Sequence, residues 1–99
     1  MSDGQTAYEA YAAHQSHKAN DGTPLPDWAG VPDSNKLAWE AFGEAVRDGL
    51  GVDAAYNGAY LDAVKGKAMS GAPAPSFAFF THNRPDIASA WAAAANAIR

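Results

Sequence analysis

The chain has 99 residues, of which 18% are charged, and a formal net charge of −4 at pH 7. With no cysteine, it has no disulfide framework, thiolate zinc site, iron–sulfur cluster or Cys nucleophile. Its seven Lys and Arg residues are scattered, so it lacks the clustered basic surface that nucleic-acid binding requires, and no nucleic-acid partner is expected.

This length suits one domain, residues 1–99, with one core. Much of the 47% hydrophobic content is alanine, which favours helix but buries little area, so the tryptophans, tyrosines and phenylalanines must supply the packing. The start, Met1-Ser2-Asp3-Gly4-Gln5, lacks the basic and apolar layout of a signal peptide, and no apolar run approaches the ~20 residues of a membrane span. A soluble, cytoplasmic protein without a membrane partner is expected.

In chain order, the periodicity predicts a first helix from about Gln5 to Asn20, with Tyr8, Tyr11 and Ala12 on one face and Asp21-Gly22 as its stop. The Pro- and Gly-rich stretch from Asp21 to Pro32 is a loop. Asp33 or Ser34 is placed to cap a second helix running to about Leu50, whose apolar positions spread widely around it. Gly49-Leu50-Gly51 reads as a hinge and Asp53 as the cap of a third helix, with Tyr56, Tyr60 and Val64 on its apolar stripe and fraying near Met69-Ser70-Gly71. A second loop then runs to Arg84. Pro85 opens the fourth helix, with Asp86 at the positive end of its dipole and Ile87, Trp91, Ala94 and Ile98 on its buried face.

The halves repeat. Gly22-Thr-Pro24-Leu-Pro26-Asp-Trp28 recurs as Gly71-Ala-Pro73-Ala-Pro75-Ser-Phe77, and Ala10, Tyr11, Lys18, Ala19 and Ala29 recur as Ala59, Tyr60, Lys67, Ala68 and Ala78. Glycine and proline fix backbone geometry, so the Gly-x-Pro-x-Pro-x-aromatic frame is informative where alanine matches are not. After a shift of register, Pro32-Asp33 answers Pro85-Asp86, Ala38-Trp39 answers Ala90-Trp91, and Val46 answers Ile98. The expected fold is all-α, with four helices in two pseudo-symmetric helix–loop–helix units at about residues 5–50 and 53–99. Leu25–Trp28 and Ser76–Phe80 are candidates for a minimal two-stranded pairing between the units.

Recognisable chemistry is sparse. His14 and His17 share a helix face at i, i+3 but have no evident third metal ligand, so they read as exposed helix histidines. Asp33, Asp53 and Asp86 read as helix caps, and Glu40, Glu44, Arg47 and Asp48 as a solvated face with Glu44 near Arg47. No Gly-x-Ser-x-Gly elbow or phosphate-binding glycine loop is present, so neither an enzyme nor a cofactor is expected. The lead is a break in the repeat: three residues separate Trp28 from Pro32, but seven separate Phe77 from Pro85. The unmatched stretch brings Phe79 and Phe80 beside His82, Asn83 and Arg84, a composition suited to an anion or nucleotide cradle, or to a protein interface.

Two resemblances enter at these residues. Tyr8-x-x-Tyr11, Leu25-Pro26-Asp27-Trp28, Val31-Pro32 and Ala38-Trp39 resemble a pattern in small proteins of tailed bacteriophages and prophages, with Lys36 standing where those proteins usually carry Arg. Trp28-x-x-x-Pro32, Lys36, Val46, Tyr60, Pro75-Ser-Phe77 and Pro85 are similar to the ryanodine-receptor-type repeat domain, although the first helix does not carry that family's usual His and Asn at the expected spacing. The second resemblance implies a pseudo-two-fold helical layout and a nucleotide-like ligand. Together with the resemblances, the candidate ligand-binding set is Phe79, Phe80, His82, Asn83, Arg84, Trp28 and Lys36. Two function classes stay open. One is a phage-encoded accessory protein that acts by binding, either sequestering a nucleotide-like signal or blocking a host defence component. The other is a structural or assembly module, in the virion or in a homo-oligomer.

Overall fold

The computed structural model describes residues 2–19, 22–67 and 73–99. The expected fraying at Met69-Ser70-Gly71 lies outside them. Among the described residues five helices form: α1 (Asp3–His14), α2 (Asp33–Arg47), α3 (residues 52–63), α4 (Phe77–Asn83) and α5 (Pro85–Ile98). The fold is mostly all-α, as expected, but with one helix more, because the predicted second loop is itself α4. A 3₁₀ turn, Trp28–Gly30, stands at the matching place in the first unit.

α1 stops at His14 rather than near Asn20. Ser16 and His17 turn left-handed (φ 55° and 59°), and the His17 N–H closes back on the Ala12 carbonyl at 2.7 Å, a helix-ending motif that satisfies orphan carbonyls. α3 ends identically: Lys65 and Gly66 have φ of 55° and 72°, and the Gly66 N–H reaches the Leu61 carbonyl at 2.8 Å. His17 is thus the counterpart of a glycine, a backbone role that His tolerates better than most residues. Beyond each stop the chain folds back on itself, with Leu25 N–H donating to the His17 carbonyl and Ala74 N–H to the Gly66 carbonyl. The isolated bridges Lys18–Pro24 and Lys67–Pro73 therefore lie inside each unit, not between units, and Ser76–Phe80 is helical from Phe77 onward instead of extended. The prolines allow only this minimal pairing, because each lacks a donor.

Neither Asp33 nor Asp53 caps a helix. Pro32 and Gly51 hold the N-cap positions of α2 and α3, and the two aspartates sit in the first turns without a side-chain cap bond, where their charge still favours the helix dipole. The face expected to be solvated is also partly used. Glu40 accepts the Gly4 N–H and Arg47 forms a two-pronged ion pair with Asp3 (2.8 and 3.0 Å) instead of pairing with Glu44. Both bonds pin the start of α1 against α2, where glycine permits the approach: a Cβ on Gly43 would lie 2.8 Å from Asp3 Cβ.

The core centres on a stacked pair, Trp39 and Trp91, with ring centroids 4.6 Å apart and planes 13° apart. Tyrosines surround the pair with pseudo-two-fold repetition. Tyr11 meets Trp91 at 5.0 Å and Tyr60 meets Trp39 at 5.3 Å; Tyr8 meets Trp39 at 5.5 Å and Tyr56 meets Trp91 at 4.6 Å. Fully buried alanines (Ala7, Ala38, Ala55, Ala90, Ala94 and Ala95) let the helices come close. Each buried aromatic side chain contributes roughly 2–3 kcal/mol of transfer free energy, several times an alanine's share. α1 packs on both α2 and α5, and α2 on both α1 and α3. The two units therefore share one core.

Candidate functional site

The two units differ at two places, and the sequence separation of equivalent residues locates both. At the start of the repeat, Ala7 answers Ala55 and Tyr8 answers Tyr56, 48 residues on. Both alanines are fully buried, and the two tyrosine hydroxyls donate alike, Tyr8 to the Pro26 carbonyl at 2.6 Å and Tyr56 to the Pro75 carbonyl at 2.9 Å. From Tyr11 and Tyr60 to Val31 and Phe80 the separation is 49, so α3 carries one residue more than α1. That residue is absorbed by a π-helical turn, Ala55–Tyr60. From Pro32 and Arg84, the N-caps of α2 and α5, the separation is 52, and it stays so through the buried pairs Ala38/Ala90, Trp39/Trp91 and Val46/Ile98. The second step inserts three residues, Thr81-His82-Asn83, and they form the last turn of α4. The expected match of Pro32 with Pro85 is thus off by one, because Pro85 is the first residue of its helix whereas Pro32 precedes its own.

The two insertions face each other. A groove of about 320 Å³ between the first half of α3 and α4 is lined by Val52, Asp53, Asn57, Phe77, Ala78, Thr81 and His82. Asn57 belongs to the π turn and Thr81 and His82 to the inserted turn. The Asn57 carboxamide oxygen accepts the Phe77 N–H at 2.9 Å, tying the start of α4 to α3, and the Thr81 hydroxyl donates to the Phe77 carbonyl at 3.2 Å. The lining thus joins an aromatic ring and small apolar side chains to an amide, a hydroxyl, an imidazole and a carboxylate. Among the described residues it contains no Lys or Arg. π turns arise where a residue is inserted into a helix and are frequent at functional sites.

The seven residues singled out in sequence do not form one site. His82 lines the groove. Phe79 is 47% exposed on the outside of α4. Phe80 is in the core at 3% exposure, with its ring 5.6 Å from Tyr56's, and fills the place that Val31 holds in the first unit. The Asn83 amide donates to the Phe79 carbonyl of its own helix. Arg84 forms a two-pronged ion pair with Asp86 (3.1 and 3.2 Å), and the guanidinium holds the Asp86 carboxyl below its usual range. The anion expected beside Arg84 and the start of α5 is therefore supplied by the chain's own Asp86. Trp28 and Lys36 belong to the first unit, where the Lys36 ammonium lies 5.8 Å from the Trp28 ring centroid and Trp28 packs on Tyr8.

No known protein family, curated protein or solved structure matches the chain.

Asn57, Thr81, Asp53 and Phe77 are outside the ligand-binding set expected from the sequence, yet a signal for the α3 side exists. Tyr8-x-x-Tyr11 is spaced i, i+3, whereas Tyr56-x-x-x-Tyr60 is spaced i, i+4, and that mismatch marks the inserted residue next to Asn57. As for chemistry, burial pushes the Tyr56 phenol above its ordinary value, which makes it a poor acid or base at neutral pH. Among the described residues, no three of His, Asp and Glu gather to hold a metal ion, and no helix is long and apolar enough to cross a membrane. The groove's groups are suited to hydrogen bonding and to stacking.

Proposed function

We propose that this chain is a non-enzymatic binding protein whose partner docks in the α3–α4 groove, and that the partner is a protein rather than a nucleotide. One observation carries the reading: the π turn that absorbs one insertion and the helical turn that makes the other line the same groove, through Asn57 and through Thr81 and His82. Residues common to both units build the core, and residues added to one unit serve something else. Among the described residues the lining lacks the cations that phosphate recognition requires, while Phe79, exposed on the same helix, offers the aromatic contact typical of protein interfaces. The resemblance of the first half to small phage proteins suggests where to look for the partner, in a bacterial host, and blocking a host defence component is the corresponding role.

The test uses two baits, the intact chain and a variant lacking Thr81–Asn83, against a bacterial host lysate. In parallel, both are melted with a panel of cyclic and linear nucleotides. A host protein retained by the intact chain and lost by the variant supports the proposal. A nucleotide that raises the melting temperature of the intact chain alone replaces the protein partner with a small ligand at the same groove. Equal behaviour of the two chains in both arms sinks the groove as a site and leaves a structural or assembly role.

A further inference from the structure

We propose that the two units form an exchangeable pair, so that the first unit of one copy takes the second unit of another and closes a two-fold dimer. The partner is thus a second copy of this chain, and the surface is the unit–unit interface itself. Three observations support this, none of which depends on the groove. First, contacts that bury the core cross between units: Trp39 on Trp91, Tyr11 on Trp91 and Tyr60 on Trp39. A unit without its mate would expose all of these rings. Second, every copy carries both units, so exchange between copies recreates every one of these contacts. Third, one short connection, Asp48 to Gly51 between α2 and α3, holds the pair within one chain. Gly49 turns it through a left-handed conformation (φ 98°), and the Arg99 guanidinium clasps it by donating to the Leu50 carbonyl at 3.2 Å.

The connection alone therefore decides between monomer and dimer. A short tether gives intramolecular pairing an effective concentration on the order of millimolar, so the monomer prevails in dilute solution. A connection too short or too extended to turn back removes that advantage while leaving both pairing faces intact. Exchange also doubles the grooves carried by one assembly.

The test exploits the Trp39–Trp91 stack, whose exciton couplet in far-ultraviolet circular dichroism is taken as the difference between the unsubstituted chain and chains lacking one indole, because the neighbouring tyrosines also couple to each indole. Two full-length variants are made, Trp39→Phe and Trp91→Phe; each lacks the Trp–Trp pair whether monomeric or self-exchanged. Both are prepared with the natural connection and with Gly49 and Leu50 deleted, then unfolded together and refolded at high concentration. Exchange places an intact Trp39 from one copy against an intact Trp91 from the other. The couplet should return at roughly a quarter of its amplitude in the otherwise unsubstituted chain, the statistical yield of mixed dimers with one restored pair each. If either variant fails to fold alone, recovery of helicity on mixing is the equivalent positive result. No couplet and no recovery on mixing, with either connection, overturns the proposal.

Discussion

Four tyrosines, two tryptophans and two glycines do most of the specifying at the scale of single residues. Tyr8 and Tyr56 each hold a proline carbonyl with a buried ring and an outward hydroxyl. Replacing either by Phe should cost about 1 kcal/mol, the usual net value of such a bond, and the two losses should be equal within error in urea unfolding. Burial pushes the Tyr8 phenol from 10.0 up to about 12, and burial also raises those of Tyr11, Tyr56 and Tyr60. The folded state therefore favours the protonated phenols. Their contribution is whole below about pH 10 and is lost as the pH climbs toward 12, so unfolding midpoints should hold steady from neutral pH and then fall steeply, and less steeply in Tyr8→Phe. Gly43 and Gly58 are both helical, but only Gly43 has no room for a side chain. Gly43→Ala should destabilise by about 1–3 kcal/mol, while Gly58→Ala should stabilise by up to about 1 kcal/mol; denaturant midpoints separate the two. The pairing of Trp39 with Trp91 was legible because both stand in the same Ala-Trp context in each half. The burial of Phe80 was not, because its counterpart Val31 shares with it only apolarity.

At the scale of elements, the second unit differs from the first by one residue added to α3 and one turn added to α4. The inserted residue of α3 and the last turn of α4 have no counterparts in α1 or in the 3₁₀ turn, so the first unit shows that the scaffold closes without them. Deleting Gly58 should convert the π turn into an α turn, leave Tyr56 and the second tyrosine at the i, i+3 spacing of Tyr8 and Tyr11, and preserve the fold. Deleting Glu9 from α1, although Glu9 is exposed, should swing Tyr8 about 100° out of the core and abolish cooperative melting. Circular dichroism melts distinguish these outcomes. Helix existence was readable from periodicity, yet helix ends were not. α1 stops at His14 because Ser16 and His17 accept left-handed backbone, and neither residue type announces that in sequence. α4 was missed for a related reason: Phe77–Asn83 is a single seven-residue helix between prolines, too short to show a helical period. The groove needed both corrections, since it exists only once α4 is helical and α3 carries its extra residue.

The molecule as a whole is a pair of units that cannot be taken apart without exposing its aromatic centre. Because the stacked tryptophans belong to different units, damage to either side should be felt by both. Trp39→Ala and Trp91→Ala should each cost about 3–5 kcal/mol and produce one transition, not two. The composition already indicated an aromatic core in a small all-α chain, and the repeat indicated its symmetry. What only three dimensions could show is that the departures from the repeat converge. A chain lacking both Gly58 and Thr81–Asn83 tests, without any knowledge of the partner, whether these departures are additions to a complete scaffold. If the insertions serve binding and not folding, its denaturant unfolding shows a single cooperative transition with a midpoint at or above that of the intact chain. A chain that is unfolded, or that melts without cooperativity, would show instead that the inserted residues belong to the scaffold.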